Sequence, residues 1–167
     1  MPTQTVALPA HAQPTPLNPL DPLDAIPTEM PFDVPYGSPI SLDRAQSVIH
    51  AAVQEAKARS WKMNVAVVDP SGLLVAFQRM DGAMYASIAI AEHKARAAAT
   101  FRRATKVFED GVQLSRLNYL LAFDGIIASR GGIPLIENGV IIGAIGCSGG
   151  ADSQDEVVSK AGAAIIA

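Results

Sequence analysis

Beyond residue 40 the apolar positions fall into runs of two different periods. Leu42, Ala45, Val48, Ile49, Ala52, Val53 and Ala56 recur every three or four residues, which predicts a helix over residues 42–59 with one apolar face. Ser41 precedes it as an N-cap, and Asp43 in its first turn meets the positive end of the helix dipole. Residues 63–69 and 73–79 are β-rich and are joined by Pro70-Ser71-Gly72, a predicted hairpin. A second hairpin is predicted from residues 134–137 and 140–147, because Asn138-Gly139 between them tolerates positive φ at both positions. The alanine-rich stretch 85–105 predicts a long helix whose small side chains allow close approach to a sheet or another helix. A shorter helix is expected over residues 112–123. A last one is expected from about Asp152, where Ser153-Gln154-Asp155-Glu156 fits a capping box and Val157, Val158, Ala161, Ala164 and Ile165 form an apolar stripe. Hairpins imply antiparallel pairing. The predicted fold class is therefore α+β, an antiparallel sheet built from two hairpins and packed with helices, and not a doubly wound parallel sheet.

Residues 1–39 follow no such period. Ten of the twelve prolines lie there, and proline removes backbone donors and fixes φ, so this stretch is expected to be extended and irregular. Two readings stay open: a disordered tail, or an arm laid across a neighbouring subunit through Leu17, Leu20, Leu23, Ile26, Met30, Phe32 and Tyr36. The expected organisation is a proline-rich arm, 1–39, followed by one domain, 40–167.

Composition narrows the function classes. With 49% hydrophobic and 17% charged residues the chain has material for a real core and a thinly charged surface, which suggests burial against other copies. A net charge of −3 and a pI near 5.5 leave no basic face for nucleic acid. The single cysteine, Cys147, excludes a disulfide framework and a cysteine-rich zinc site. The longest apolar stretches, near residues 88–91 and 140–147, are far short of the roughly 20 residues of a membrane-spanning helix. The N-terminus has no basic region followed by an apolar run, so a soluble, cytoplasmic protein is expected.

Candidate chemistry gathers in two places. The first runs from Arg130-Gly131-Gly132 through Gly143 and Gly146 to Cys147-Ser148-Gly149-Gly150 and the helix start at Asp152. Glycine weakens a strand, so Gly143 and Gly146 imply close approach of a backbone or a ligand. Gly149-Gly150 leads into a helix N-terminus, whose unpaired N–H groups favour an anion such as a carboxylate; a plain strand-to-helix connection is the alternative. Cys147 is either a small core residue or a thiol whose pKa is depressed by that helix. The second place is Glu92-His93-Lys94. Lys94 among alanines is either a partly desolvated amine that pairs with a carboxylate or serves as a base, or a solvated charge beside a Glu92–Arg96 surface pair. His93 is either a structural histidine or a ligand to a metal or haem iron; His11 and His50 lie elsewhere, and no H-E-x-x-H or C-x-x-C-H pattern is present.

Five stretches together resemble a known family: Ala66 to Gly72 (A-x-V-D-x-x-G), Lys94-Ala95, Gly131 to Pro134 (G-G-I-P), Gly143 to Gly150 (G-x-I-G-x-S-G-G) and Gln154-Asp155-Glu156. In this order and spacing they resemble the GlcG/HbpS family, the haem-degrading or DUF336 domain that also forms the C-terminal part of PduO-type proteins, over about residues 41–167. The resemblance implies an α/β sandwich around an antiparallel sheet, assembly into dimers and up to octamers, haem binding in some members, a redox-sensing accessory role in one branch, and a place in catabolic operons for others. Two positions depart from the pattern. Ala97 stands where the family has a threonine after Lys-Ala, and Cys147 where it has valine.

Three readings follow. In the first, the chain is a haem- or tetrapyrrole-binding accessory protein, with an iron ligand among His93, Met84, Tyr85 and Cys147 and the propionates on Lys94 or Arg130. In the second, it is a cofactor-independent catabolic enzyme acting by isomerase-, tautomerase- or lyase-like proton transfer on a small carboxylate-bearing metabolite. Lys94, Asp155 and Glu156 would then be the acid–base groups, and Arg130, Gly131, Gly132, Gly149 and Gly150 the clamp. In the third, it is a ligand-sequestering homo-oligomer without catalysis.

Overall fold

A computed structural model describes residues 26–166. Two units divide after Pro31, and Ile26–Pro31 contains no helix or strand. Readings that rest on residues 1–25, including most of the proline-rich arm, lie outside the described residues.

From Phe32 onward the expected hairpins form. β1 (Asn64–Val68) pairs antiparallel with β2 (Leu74–Arg79), and β3 (Gly132–Glu137) with β4 (Val140–Ser148). The two hairpins join through β1 and β4, from Asn64 opposite Ser148 to Val68 opposite Ala144, which gives the order β2-β1-β4-β3. β1 is buried along its whole length, as a central strand covered on both faces should be. Pro134 sits in β3, an edge strand, where a missing N–H disrupts the ladder least.

α1 (Leu42–Ala58) and α4 (Asp152–Ala163) cover one face. Val48, Ile49, Val53 and Val158 pack there against Val65, Val67, Ile145 and Cys147. Ser41 Oγ accepts from the Arg44 N–H, as its position predicts. α2 (Ala86–Thr100) covers the other face, and its Ala91, Ala95, Ala98 and Ala99 meet Ala66, Val68 and Ala144. The contact is backbone-close: a side chain at Gly146 would collide with the Ala91 carbonyl and the Ala95 backbone nitrogen. That approach is why glycine interrupts β4.

Two sequence expectations are corrected. No single helix spans residues 112–123. α3 (Lys106–Gln113) starts earlier, drawn in by buried Phe108, whose ring meets Phe101 edge-on at 5.3 Å. Arg116, at φ 57°, separates it from a 3-10 turn, Asn118–Ala122. The capping box is only half made as well. Ala151, not Ser153, occupies the N-cap; it has no side-chain acceptor, and only the return bond forms, from the Ala151 N–H to Gln154 Oε1 at 2.8 Å.

Residues 32–40 lie on the chain's own sheet. β1 ends before it reaches the first half of β4, and the Gly37 N–H donates to Ile141 O, the Ile141 N–H to Pro35 O and the Ile40 N–H to Ile142 O, at 2.7–2.8 Å. Tyr36 Oη donates to Thr100 O at 2.9 Å, at the C-terminal end of α2. No helix among the described residues is long and apolar enough to cross a membrane.

Candidate functional site

α2 and the β4–α4 connection bring Lys94 and Asp155 together in the interior. Lys94 stands on the same stripe of α2 as Ala91 and Ala95, the stripe pressed onto the sheet, so its ammonium cannot reach solvent along its own helix. Its Nζ donates to Asp155 Oδ2 at 2.8 Å, and the two side chains are 1% and 2% exposed. The solvated-charge reading of Lys94 is thereby corrected in favour of the desolvated one. Asp155 Oδ1 accepts the Gly150 N–H at 3.1 Å. Burial pushes the Asp155 carboxyl above its ordinary range, against the opposing pull of Lys94 and the Gly150 N–H. A second, longer bond runs from Lys94 Nζ to Asp152 Oδ1 at 3.4 Å, and the same oxygen accepts Ser129 Oγ at 2.7 Å.

Gly131 and Gly132 pass directly beside this pair. At Gly132 a side chain would collide with the Lys94 carbonyl; at Gly131, with φ 115°, a Cβ would come 2.9 Å from Asp155 Cβ and 3.3 Å from Lys94 Nζ. Ser159 Oγ donates to Gly131 O at 2.6 Å, and the Thr105 N–H and hydroxyl bond the Gly132 carbonyl and N–H. The glycines thus let two backbones and an ammonium meet.

Arg130 points into a separate cluster. Its backbone N–H and Nε donate to Glu109 at 2.7 and 2.8 Å, and its NH1 reaches Glu156 Oε2 at 3.5 Å. Hydrogen bonding by the guanidinium holds the Glu109 carboxyl below its ordinary value. Glu156 also takes Lys160 at 2.9 Å, so it belongs with Arg130 and not with Lys94. The three acid–base candidates therefore do not converge: Lys94 and Asp155 form one pair, and Glu156 part of another.

Two of the N–H groups leading into α4 already have acceptors within the chain, Gly150 in Asp155 and Ala151 in Gln154. Beside them opens a cleft of about 370 Å³ lined by Trp61, Lys62, Met63, Met84, Gly149 and Gly150, among others. Behind its wall the Asn64 amide donates to Met84 O at 3.0 Å, while its buried Oδ1 has no partner among the described residues. Cys147 is fully buried and faces the core under α1 and α4. Burial pushes its thiol up to about 12, against the opposing hydrogen bond with Ser159, so of the two readings the small core residue holds and the depressed thiol does not.

His93 projects away from this interior. It is half-buried, and on its own face of α2 it follows Ile90, Ala89 and Ala86 at helical spacing, of which the two alanines are exposed. Met84 and Tyr85 stand 60% and 77% exposed just before the helix. Among the described residues no three His, Cys, Asp or Glu side chains group to hold a metal ion. Ala86 and Ala89 place only methyl groups on the exposed face of α2 beside His93. Cys147 is too deeply buried to reach an iron. Sequence reasoning named Lys94, Asp155 and Arg130 but not Asp152, Ser129 or Glu109 as their partners. Asp152 was visible as a first-turn acid, whereas Glu109 gives no local signal.

Residues 40–164 match the HbpS-like family, described as haem-degrading protein HbpS-like. Protein GlcG of Escherichia coli K12 is 38% identical over 109 residues, covering 65% of this chain and 81% of GlcG. A double mutant of Streptomyces reticuli HbpS superposes with a TM-score of 0.72 at 26% identity, over 86% of this chain and 97% of that one. The PduOC:heme complex superposes with a TM-score of 0.68 at 29% identity, over 77% and 95%.

Proposed function

The chain belongs to the HbpS-like family, and on that premise we propose that it is a haem- or tetrapyrrole-binding accessory protein in which His93 is the iron ligand. The observation that carries this reading is the likeness to PduOC, solved as a haem complex, at 29% identity over 95% of its chain. His93 supports it, as an imidazole on an accessible helix face beside two exposed alanines.

The residues that would hold the group differ from those the sequence suggests. Arg130 is already neutralised by Glu109, so a propionate falls to Arg96, one turn beyond His93 and exposed. Met84 and Tyr85 would supply apolar contact at the other end. A single helix face covers one side of a planar macrocycle, so a further copy of the chain covers the other; homo-oligomerisation, from dimer to octamer, is part of the proposal. When bound, the group supplies the redox chemistry, and the protein's share is ligation, orientation and shielding.

Titration of the purified protein with hemin tests this. A saturable Soret shift, abolished in His93→Ala and weakened in Arg96→Glu, is the expected result. Non-saturating binding, or binding that His93→Ala leaves unchanged, overturns it.

A further inference from the structure

Lys94 is bound unequally by its two acids. Asp155 is 2% exposed, 2.8 Å from Nζ and anchored by the Gly150 N–H; it is a permanent counter-ion. Asp152 is 51% exposed, 3.4 Å from Nζ at the edge of hydrogen-bond range, and makes its shorter bond to Ser129. Two donors, a buried ammonium and a hydroxyl, thus converge on one oxygen of a carboxylate whose remainder is in water. Gly131 passes beside the same ammonium without a side chain, and one there would stand 3.3 Å from Nζ.

We propose that Lys94 Nζ and Ser129 Oγ form a subsite for a small carboxylate, now filled by the chain's own Asp152 side chain, which a ligand carboxylate displaces. Swinging Asp152 into solvent gives up only the long ion pair and one hydroxyl bond, while the Lys94–Asp155 pair stays intact. Arg130 cannot compete for the ligand, because Glu109 takes its Nε and backbone N–H. The ligand is small and unbranched, an alkyl carboxylate, because the space gained is that of one aspartate side chain. A haem propionate and a free carboxylic acid share this chemistry. The subsite does not depend on the haem reading, since its readout needs no chromophore.

The tethered Asp152 acts at high effective concentration and weakens binding in the natural chain. Formate and acetate are therefore titrated against Asp152→Ala and the unaltered protein, with chloride at equal ionic strength as the control. Asp152→Ala is expected to melt lower, and to recover saturably with formate or acetate but not with chloride. The unaltered protein is expected to bind acetate about tenfold more weakly, seen as broadening of the acetate methyl resonance. Ser129→Ala in the Asp152→Ala background is expected to reduce the recovery. If formate and acetate stabilise Asp152→Ala no more than chloride does, the subsite is overturned. It is equally overturned if the unaltered protein shows no acetate binding, since Asp152 is then a fixed structural ligand. Hemin titration of Asp152→Ala separates the two sources: tighter hemin binding assigns the subsite to a propionate, and unchanged hemin binding assigns it to a free acid.

Discussion

Lys94 Nζ stands 2.8 Å from Asp155 Oδ2, on side chains that are 1% and 2% exposed. This one pair links α2 to α4 through the interior. Removing one partner of such a pair leaves the other charge without solvent or counter-ion, whereas replacing both with apolar groups can be nearly neutral. Lys94→Ala is therefore expected to cost about 3–5 kcal/mol. Lys94→Met with Asp155→Leu should lose less than Lys94→Ala alone. Urea denaturation of the three proteins measures both effects, and equal losses would remove the pair from the stability of the fold.

A thiol held near 12 carries no appreciable thiolate at pH 8, and Cys147 is also sealed from reagents. Iodoacetamide is expected to leave the native protein unmodified and to alkylate Cys147 once denaturant is added. Intact mass before and after denaturation shows it. Rapid labelling of the native state would contradict the burial described for β4.

Arg130 holds the Glu109 carboxyl below its ordinary value of 4.5, so the folded chain binds fewer protons here than the unfolded chain. Its contribution to stability is complete above that value and is lost as pH falls through the lowered one. Glu109→Gln is expected to flatten the acid limb of Tm against pH below about 4.5. Asp155 has the opposite sign. Burial raises its carboxyl, so its contribution is present below the ordinary value and lost as pH rises through the raised one. An acid limb unchanged by Glu109→Gln would remove the Arg130 pair from the pH response.

Gly146 lies where α2 rests on β4, and a methyl group there meets backbone atoms of Ala91 and Ala95, which cannot yield as a flexible side chain would. Gly146→Ala is expected to destabilise by about 1–3 kcal/mol or more. Gly139→Ala meets nothing within 4 Å and is expected to lose only the cost of its φ of 79°. Thermal melts of the two variants should rank in that order.

Residues 32–39 complete the edge of β4 that β1 does not reach. A chain that begins at Ile40 is expected to melt lower than one that begins at Phe32, because the Gly37 N–H bond and the Pro35 acceptor are lost. Equal melting temperatures would make the segment an ornament of the sheet.

Local chemistry made part of this molecule legible in the chain. Asn138-Gly139 and Pro70-Ser71-Gly72 specify turns through their own φ preferences, and the three-to-four spacing from Leu42 to Ala56 specifies a buried helix face, so both hairpins and α1 lie where the pattern puts them. The presence of glycine at 143 and 146 likewise signalled close approach, because absence of a side chain is itself a local property. What met there was decided only by folding. The ion pair of Lys94 with Asp155 joins residues separated by 61 positions, Arg130 finds Glu109 across 21, and the β1–β4 pairing joins the two hairpins. Neither α3's early start nor the elevated Cys147 thiol has a local cause. Phe108 sets the first by packing on Phe101, and desolvation under α1 and α4 sets the second. Periodicity and turn chemistry act over a few residues and can be read from the chain. Burial and charge pairing depend on which distant segments exclude water together, and that is settled only when the layers close.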